Sequence, residues 1–507
     1  EQAARRARVA AIAAGLIFDA IVSDDRIVAG QDVTLRLSAW NAGDAGTDVR
    51  PILRDDLRGW VRTSDCLDRL VTVAPGEVVH CTVALRVPVG ARLSIPYFLE
   101  QAPGAAVYAW DGSPEEWGEP FEPVPLEAWY EFEAAAAATH RVPVVATYRF
   151  RDQVLGEVRR PVHVVPRVDV RVEPRAGVWG TGGGAHEITV SLVHSAPDST
   201  VGSLRLEVPS GWTVSPAVRF RLTREEEGWR HAFSVRPAAD ARPGMYQVRA
   251  IARTTTGEEF SLGLETIDYA HLTARLLPRS AAMTVQLAEV RLPRVARVGY
   301  VRGASDRVPE VLQEAGVALD VLDRTALLRG DFSPWDVIVI GSRAFETDTA
   351  LVEQSARLLE WVERGGRLVV QYQQHAYFNG GHPPVPMSLA QRGHDRVTDE
   401  SAAIRVLRSD RAPFSGPNPI TEADWDGWVQ ERGLYFATTW DPAWETFVET
   451  SDPGEPPLAG GLLATRVGAG TYIYTGLSFF RQLPAAVPGA LRLFLNLLEY
   501  EHPAPNP

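Results

Sequence analysis

Apolar and polar residues alternate along the first third of the chain. Segments 32–40 and 78–87 place apolar side chains at nearly every second position. Turn-forming segments accompany them, at 41–46 and 74–77. A period of two is typical of strands that bury one face, and short strands at this spacing are typical of a sandwich of two sheets. The pattern predicts an immunoglobulin-like β-sandwich over residues 16–166.

A second stretch with the same period covers residues 167–285. Its predicted strands are 186–193, 204–216, 243–252 and 259–267. Because these strands are again short and separated by turn-forming residues, we expect a second immunoglobulin-like β-sandwich directly after the first.

The pattern changes after residue 285. Continuous apolar segments at 297–301, 336–341 and 365–372 are predicted strands. They alternate with amphipathic segments at 306–316 and 348–363, which are predicted helices. This order is typical of a parallel sheet with helices on both sides, whose strands are buried on both faces. Residues 286–507 are therefore predicted to form a doubly wound parallel α/β domain, which makes the chain a multidomain β and α/β protein.

Two segments lie outside this scheme. Residues 1–15 have the composition of the last turns of an amphipathic helix, which we interpret as the remnant helix of a preceding domain. Residues 96–125 form a long loop rich in proline, glycine and aromatic residues. Packing of these rings over the first sandwich is the prediction for this loop, and a functional role is the alternative.

The composition excludes several chemistries. All 51 basic side chains are arginine, so no lysine is present to form a Schiff base or to bind phosphate in a P-loop. The net charge is −13 and no basic stripe is present, which argues against a nucleic-acid partner. The early apolar run 9–18 is about half of the roughly 20 residues that a spanning helix needs, so no membrane span is predicted.

The two cysteines are Cys66 and Cys81. A simple hairpin about the turn 74–77 places Cys81 opposite Leu70, not opposite Cys66. The spacing therefore disfavours a disulfide, which needs a bulge or an inter-sheet arrangement here.

Polar residues follow the predicted strands of the third domain. In an open parallel sheet, ligands bind at the carboxyl ends of the strands, and two connecting loops are expected to fold over this edge. The ligand-binding candidates are the polar and aromatic residues of the edge and these loops: Arg302, Asp306, Ser342, Arg343, Gln373, His394, Asp395, Trp425, Trp428, Glu431, Arg432, Ser478 and Arg481. The two tryptophans are candidates for stacking on a sugar ring, with packing in the core as the alternative.

Catalytic signals are weak in this domain. It has no G-x-S-x-G nucleophile elbow, and the loop histidines and acids lack the spacing of metal ligands, so no metal site is predicted. Glu346 and His375 are the candidates for a general acid and base.

Several segments of the third domain resemble one protein family. Segments 298–310, 338–348, 361–373, 394–400, 425–436 and 474–484 are similar to the C-terminal region of large bacterial PIG-L/LmbE family deacetylases. In that family a zinc-dependent N-acetyl-sugar deacetylase domain is followed by β-sandwich modules and by a domain similar to class I glutamine amidotransferases, with a flavodoxin-like sheet. Segment 208–216 also resembles the module that accompanies α-galactosidases.

The resemblance implies an accessory role. The A-H-P-D-D-E-type metal motif of the family is absent, and residues 286–507 contain no cysteine to serve as the amidotransferase nucleophile. The resemblance therefore implies that this region is non-catalytic. It also implies that the region holds no cofactor, because zinc is expected only in the missing deacetylase domain. This region is expected to bind a glycan or to pack on the deacetylase domain, so the expected partners are a carbohydrate or N-acetyl-sugar ligand and the upstream deacetylase domain. The implied location is periplasmic or extracellular, with the cytoplasm left open.

Two other functions remain open. The first is a hydrolase that uses Glu346 and His375 at the edge of the parallel sheet. The second is a scaffold protein that binds no ligand and only mediates assembly.

Overall fold

The computed structural model describes residues 2–53, 59–64, 66–100, 121–122, 124–134, 138–269, 271–390 and 395–503. Within these residues the chain forms two β-sandwich units and a third unit built around a mixed sheet. The predicted multidomain, β-rich architecture is confirmed.

The first unit begins with a helix and continues with strands. Its elements in chain order are α1 (Gln2–Ala13), β1 (Leu16–Val22), β2 (Arg26–Ile27), β3 (Asp32–Asn41), β4 (Thr47–Leu53), β5 (Val61–Thr63), β6 (Val71–Val73), β7 (Val78–Arg86), α2 (Tyr97–Glu100), β8 (Glu127–Ala134), β9 (Ala138–Val145), β10 (Thr147–Asp152), β11 (Gly156–Pro161) and β12 (His163–Val164). Sheets β11-β10-β1-β3-β7-β5 and β6-β4-β8-β9 enclose one core. Helix α1 adds Ala7 and Ala11 to this core, so it is packed on the sandwich. Its origin in a preceding domain stays a prediction.

Cys66 and Cys81 form a disulfide, and the prediction that disfavoured it is wrong. Strand β6 pairs with β4 in the opposite sheet, whereas β7 pairs with β3 and β5. The β5–β7 register places Thr63 opposite Ala84. Continued along the chain, it brings Cys66 opposite Cys81, with their Cα atoms 5.5 Å apart.

The loop 96–125 is described only in part. Tyr108, Trp110 and Trp117 lie outside the described residues. The Phe121 ring is 47% exposed, so the predicted packing over the sheet is wrong for this residue. It contacts the second unit instead, where the Arg275 guanidinium carbon lies 3.9 Å from the ring centroid.

The second unit contains only strands among its described elements. They are β13 (Val168–Glu173), β14 (Ala176–Gly180), β15 (His186–His194), β16 (Thr200–Glu207), β17 (Thr213–Val214), β18 (Val218–Leu222), β19 (Gly228–Arg236), β20 (Gly244–Thr254), β21 (Glu259–Phe260), β22 (Leu262–Ile267), β23 (Arg275–Ser280) and β24 (Ala282–Ala288). Sheets β13-β15-β19-β17 and β14-β24-β20-β16-β18 pack around one core. Since β24 ends at Ala288, the unit extends past the predicted boundary at residue 285.

The third unit alternates strands and helices. They are β25 (Val298–Val301), α3 (Val308–Glu314), β26 (Leu319–Val321), α4 (Arg324–Arg329), β27 (Val337–Ile340), α5 (Ala344–Thr347), α6 (Thr349–Glu363), β28 (Arg367–Gln371), α7 (His375–Asn379), β29 (Met387–Ser388), β30 (Ile404–Val406), β31 (Thr439–Trp440), β32 (Glu445–Thr446), β33 (Val448–Thr450), β34 (Leu462–Val467), β35 (Gly470–Thr475), α8 (Phe479–Gln482) and α9 (Pro488–Glu499).

Its main sheet has the order β26-β25-β27-β28-β35-β34-β32. The first five strands of this order are parallel, β34 pairs antiparallel with β35, and β32 pairs antiparallel with β34. Numbered along the chain, the parallel strands lie in the order 2-1-3-4-5. Helices α3 and α9 pack on one face, and α4, α6 and α7 pack on the other.

One polar residue anchors the C-terminal helix. Asn496 is buried in α9, where its amide donates hydrogen bonds to the carbonyl oxygens of Pro413 and Asn418 at 2.6 and 2.7 Å. Its side-chain oxygen accepts one from the Asn418 backbone N–H at 3.0 Å. Asn418 in turn bonds the backbone of Arg291 in both directions. This pair of asparagines ties the start of the third unit to its last helix.

Candidate ligand-binding site

The carboxyl ends of β25 and β27 are in direct backbone contact. A Cβ atom added to Gly303 would lie 2.1 Å from the Ser342 carbonyl oxygen. One added to Gly341 would lie 2.1 Å from Oδ2 of Asp306. The crevice in which such sheets usually hold a ligand is therefore filled by the protein's own atoms.

Asp306 is a structural residue of this contact. Its carboxylate accepts hydrogen bonds from the Tyr300 hydroxyl at 2.7 Å and from the Gly303 and Val308 backbone N–H groups. Burial raises the pKa of Asp306, and these hydrogen bonds oppose the rise. Because the side chain is buried and its oxygens are occupied, Asp306 is not available to a ligand.

Three other candidates are also occupied or enclosed. Arg302 is held by Glu310 at 2.6 Å. Gln373 is buried and bonds the backbone of Gly341, Gln371 and Phe345. Ser342 is fully buried, and its hydroxyl has no partner among the described residues.

Arg343 differs from these residues. It lies in a left-handed backbone conformation, with φ 60° and ψ 23°, between β27 and α5. This conformation costs about 1–2 kcal/mol for a residue with a Cβ atom, and such outliers cluster at functional sites. Its guanidinium makes no hydrogen bond or ion pair to any described residue, and its Nε is buried without a partner. Arg343 therefore brings an uncompensated positive charge to the sheet edge.

Aromatic rings lie beside Arg343. Its backbone N–H donates to the Tyr372 carbonyl oxygen at 3.0 Å. The Tyr372 ring is stacked on Tyr435 at 5.6 Å between centroids and lies 5.0 Å from Phe480. Burial raises the pKa of Tyr372, while the nearby charges of Arg343 and Arg481 oppose the rise. The hydroxyl of Tyr372 thus lies in the field of both guanidinium groups.

Arg481 is only partly engaged. Its Nε donates to Glu431 at 2.7 Å and its Nη1 donates to Gln430 at 2.5 Å. Arg396 binds the second carboxylate oxygen of Glu431 at 2.7 Å. Glu431, itself buried, is thus held by two arginines and serves to position Arg481.

The loop candidates Trp425, Trp428 and Arg432 turn inward, which corrects the prediction that they face a ligand. The tryptophans are 6% and 4% exposed and belong to the core, so neither offers a ring face to a sugar. Arg432 donates to the carbonyl oxygens of Ala402 and Trp425, and burial lowers its pKa. All three stabilise the loop.

Three further candidates complete the set. Ser478 is buried, and its hydroxyl donates to the Glu431 carbonyl oxygen at 2.7 Å. Asp395 is buried, and its carbonyl oxygen accepts a hydrogen bond from the Phe436 N–H. His394 lies outside the described residues.

The proposed acid and base do not form a pair. Oε1 of Glu346 accepts a hydrogen bond from the Gln374 backbone N–H at 2.9 Å, and Oε2 is buried without a partner. His375 is exposed, with its ring 6.4 Å from that of Tyr435. Although the two residues are close along the edge, no hydrogen bond or ion pair joins their described side chains.

The described residues form neither a metal-ligand cluster nor a membrane-spanning helix. Among the described residues, no three histidine, cysteine, aspartate or glutamate side chains come together as metal ligands would. Every helix in the same part of the chain is too short or too polar to span a lipid bilayer.

The aromatic residues of this edge were not predicted from the sequence. Tyr372 is the last residue of a predicted strand segment, and Phe480 directly precedes Arg481. The available signals were the position of Tyr372 directly after β28 and the position of Phe480 directly before the candidate Arg481. No sequence signal pointed to Tyr435, because its position depends on the path of a long loop and on its left-handed backbone conformation at φ 54°.

Comparisons with known proteins identify no family. No family model and no curated protein matches the chain. Among solved structures, an exo-β-1,4-mannosidase from Opitutaceae bacterium strain TAV5 matches at 14% identity and a TM-score of 0.26, over 41% of this chain and 36% of the mannosidase. A β-galactosidase from Rahnella sp. R3 matches at 16% identity and a TM-score of 0.25, over 40% of this chain and 31% of the galactosidase.

A transglutaminase from red sea bream matches at 12% identity and a TM-score of 0.22, over 54% of this chain and 31% of the transglutaminase. The chain thus spans about a third of the length of each of these proteins. Matches at such TM-scores carry no argument about fold or function.

Proposed function

We propose that this chain is a non-catalytic binding region that recognises glycans and accompanies an N-acetyl-sugar deacetylase of the PIG-L type. One observation carries the non-catalytic part of the proposal. Arg343 lies on a strained turn between a strand and a helix, and hydrolases with a nucleophile elbow place their nucleophile on a turn of this kind. A guanidinium keeps its proton at all ordinary pH values, so it binds anions and hydrogen-bond acceptors but neither attacks a carbonyl nor transfers a proton.

The strand order supports a relation of the third unit to the glutamine amidotransferase-like, flavodoxin-like folds. Parallel strands in the order 2-1-3-4-5 are the arrangement of flavodoxin-like sheets. The absence of cysteine from residues 286–507 agrees with an amidotransferase-like unit that has lost its nucleophile.

The disulfide supports a location outside the cytoplasm. Cys66 and Cys81 are bonded in the first sandwich, and such bonds persist mainly in exported proteins. We therefore assign the chain to the periplasm or the extracellular space as part of the proposal.

A glycan array tests the binding role. We expect the purified chain to retain a subset of glycans, and Tyr435→Ala to weaken that retention by removing a ring from the sheet edge. Tyr269→Ala is the matched control, because Tyr269 is exposed in the second unit. If no glycan is retained, the binding role is contradicted. Hydrolysis of N-acetyl sugars by the chain at enzyme-like rates would contradict the non-catalytic assignment.

A further inference from the structure

Three hydrogen-bond donors at the sheet edge have no acceptor. They are the Arg343 guanidinium, the Tyr372 hydroxyl and Nη2 of Arg481, none of which bonds a described residue. The three residues are neighbours at this edge: the Arg343 backbone N–H donates to the Tyr372 carbonyl oxygen at 3.0 Å, and the Phe480 ring lies 5.0 Å from the Tyr372 ring and 4.8 Å from the Arg481 guanidinium carbon. Such a set is suited to an acceptor that carries negative charge.

A shortage of acidic residues does not explain the unpaired guanidinium. The chain has 64 acidic and 51 basic side chains. Arg302 and Arg396, which lie in the same region, are both paired with glutamates. Glu346 is three residues from Arg343, yet it bonds the Gln374 backbone instead. The positive charge of Arg343 is thus unpaired among the described residues, although the chain has more acidic than basic side chains.

Aromatic rings lie beside these donors and indicate what kind of ligand carries the acceptor. The rings of Tyr435 and Phe480 lie 5.6 and 5.0 Å from the ring of Tyr372, and both are partly exposed. Aromatic faces pack against the apolar faces of pyranose rings, while a planar guanidinium binds a carboxylate through two parallel hydrogen bonds.

We infer that this site binds an acidic saccharide, with the carboxylate of a uronic acid-type residue held by Arg343, Tyr372 and Arg481. The inference rests on the proposed glycan-binding function and specifies its ligand class. Phosphate shares the oxyanion chemistry, and the experiment separates it from the saccharide.

The test uses three probes with the full chain in isothermal titration calorimetry: a uronic acid oligosaccharide, its carboxyl-reduced neutral counterpart and inorganic phosphate. We expect binding of the acidic oligosaccharide to weaken with rising salt. Arg343→Gln should weaken it by about 10- to 100-fold, because a charged hydrogen-bonding partner is lost. Arg302→Gln is the matched control, since Arg302 is already occupied by Glu310.

Folding of the variants is checked by thermal unfolding. Arg343→Asn is the second variant at this position because asparagine tolerates the left-handed conformation. Tyr372→Phe removes one donor without changing the ring and should weaken binding of the acidic oligosaccharide but not of the neutral one.

The outcomes distinguish the two proposals. Equal binding of the acidic and neutral oligosaccharides, unchanged by Arg343→Gln, overturns the inference but leaves glycan binding intact. Phosphate binding as tight as that of the acidic oligosaccharide assigns the site to free oxyanions and also overturns it. Failure to bind any saccharide overturns the proposed function itself.

Discussion

Glu314 lies at the end of α3, where the third unit meets the second. Its Oε2 would be 3.7 Å from a Cβ atom on Gly177 of β14. Burial raises the pKa of Glu314 to about 7, with Arg307 opposing the rise and Glu310 adding to it. The junction between the two units therefore contains a carboxyl group that titrates near neutral pH.

Glu314 should make stability depend on pH. Because its pKa is higher in the folded than in the unfolded chain, its contribution is fully present below about pH 4.5 and is lost as the pH rises through about 7. We expect Glu314→Gln to stabilise the protein by about 1 kcal/mol at pH 8, after allowance for the solvent-exposed part of the carboxyl, and to have no effect at pH 4. Urea unfolding at several pH values measures this difference.

Glu310 on the same helix is the control. Burial alone would raise its pKa, but the hydrogen bond and charge of Arg302, a backbone hydrogen bond and the charge of Arg307 together lower it. Glu310→Gln should therefore reduce stability at neutral pH, in the opposite direction. If both variants changed the free energy of unfolding in the same direction, the raised pKa of Glu314 would be contradicted.

At the scale of elements, Asn496 is the one polar residue among the buried positions of α9. We expect Asn496→Leu to destabilise the third unit by about 2–4 kcal/mol, because buried polar groups of Asn418 and Pro413 lose their partners. Chemical denaturation followed by tryptophan fluorescence measures the loss. Asn379→Leu at the exposed end of α7 should change stability little.

Long elements were predictable because their patterns are complete within one segment. Helix α6 begins at Thr349 after Asp348, whose carboxylate caps the first turn, and it ends at Glu363 as the apolar period indicates. Strand β3 alternates buried and exposed residues along its length. The short strands β5 and β6 carry too few residues to specify a partner, so the pairing of β6 and the disulfide were predicted wrongly.

The site was predictable only in its location. Residues after parallel strands must lie at one edge of the sheet, which correctly placed Arg302, Arg343 and Gln373 there. The pattern could not distinguish a paired arginine from an unpaired one, because Glu310 and Glu346 are both nearby in sequence. Trp425 and Trp428 are buried in the core. Their burial depends on contacts with distant residues, which the local sequence pattern does not predict.

At the scale of the whole molecule, the disulfide is confined to the first sandwich. It closes a loop across a sequence separation of 15 residues. Its removal should cost about 3 kcal/mol, mainly by increasing the conformational freedom of the unfolded chain. We expect Cys66→Ser/Cys81→Ser to lower the unfolding midpoint of the first unit and to leave that of the third unit unchanged.

Differential scanning calorimetry with and without a reductant follows both transitions. The double variant should not respond to the reductant, whereas the native chain should shift towards the variant. An equal shift of both transitions would contradict the confinement of the effect to the first unit.

The parallel pairing of β28 with β35 also determines when the third unit can fold. Residues 372–469 lie between these strands, and α9, which covers one face of the sheet, begins only at Pro488. Contacts between residues so distant in sequence form slowly. During synthesis the two sandwiches can fold as soon as they leave the ribosome, whereas the third unit must wait until β35 and α9 have been released. Until then its apolar strands lack the helix that covers one face of the sheet, so this unit is exposed to aggregation for longer than the two sandwiches.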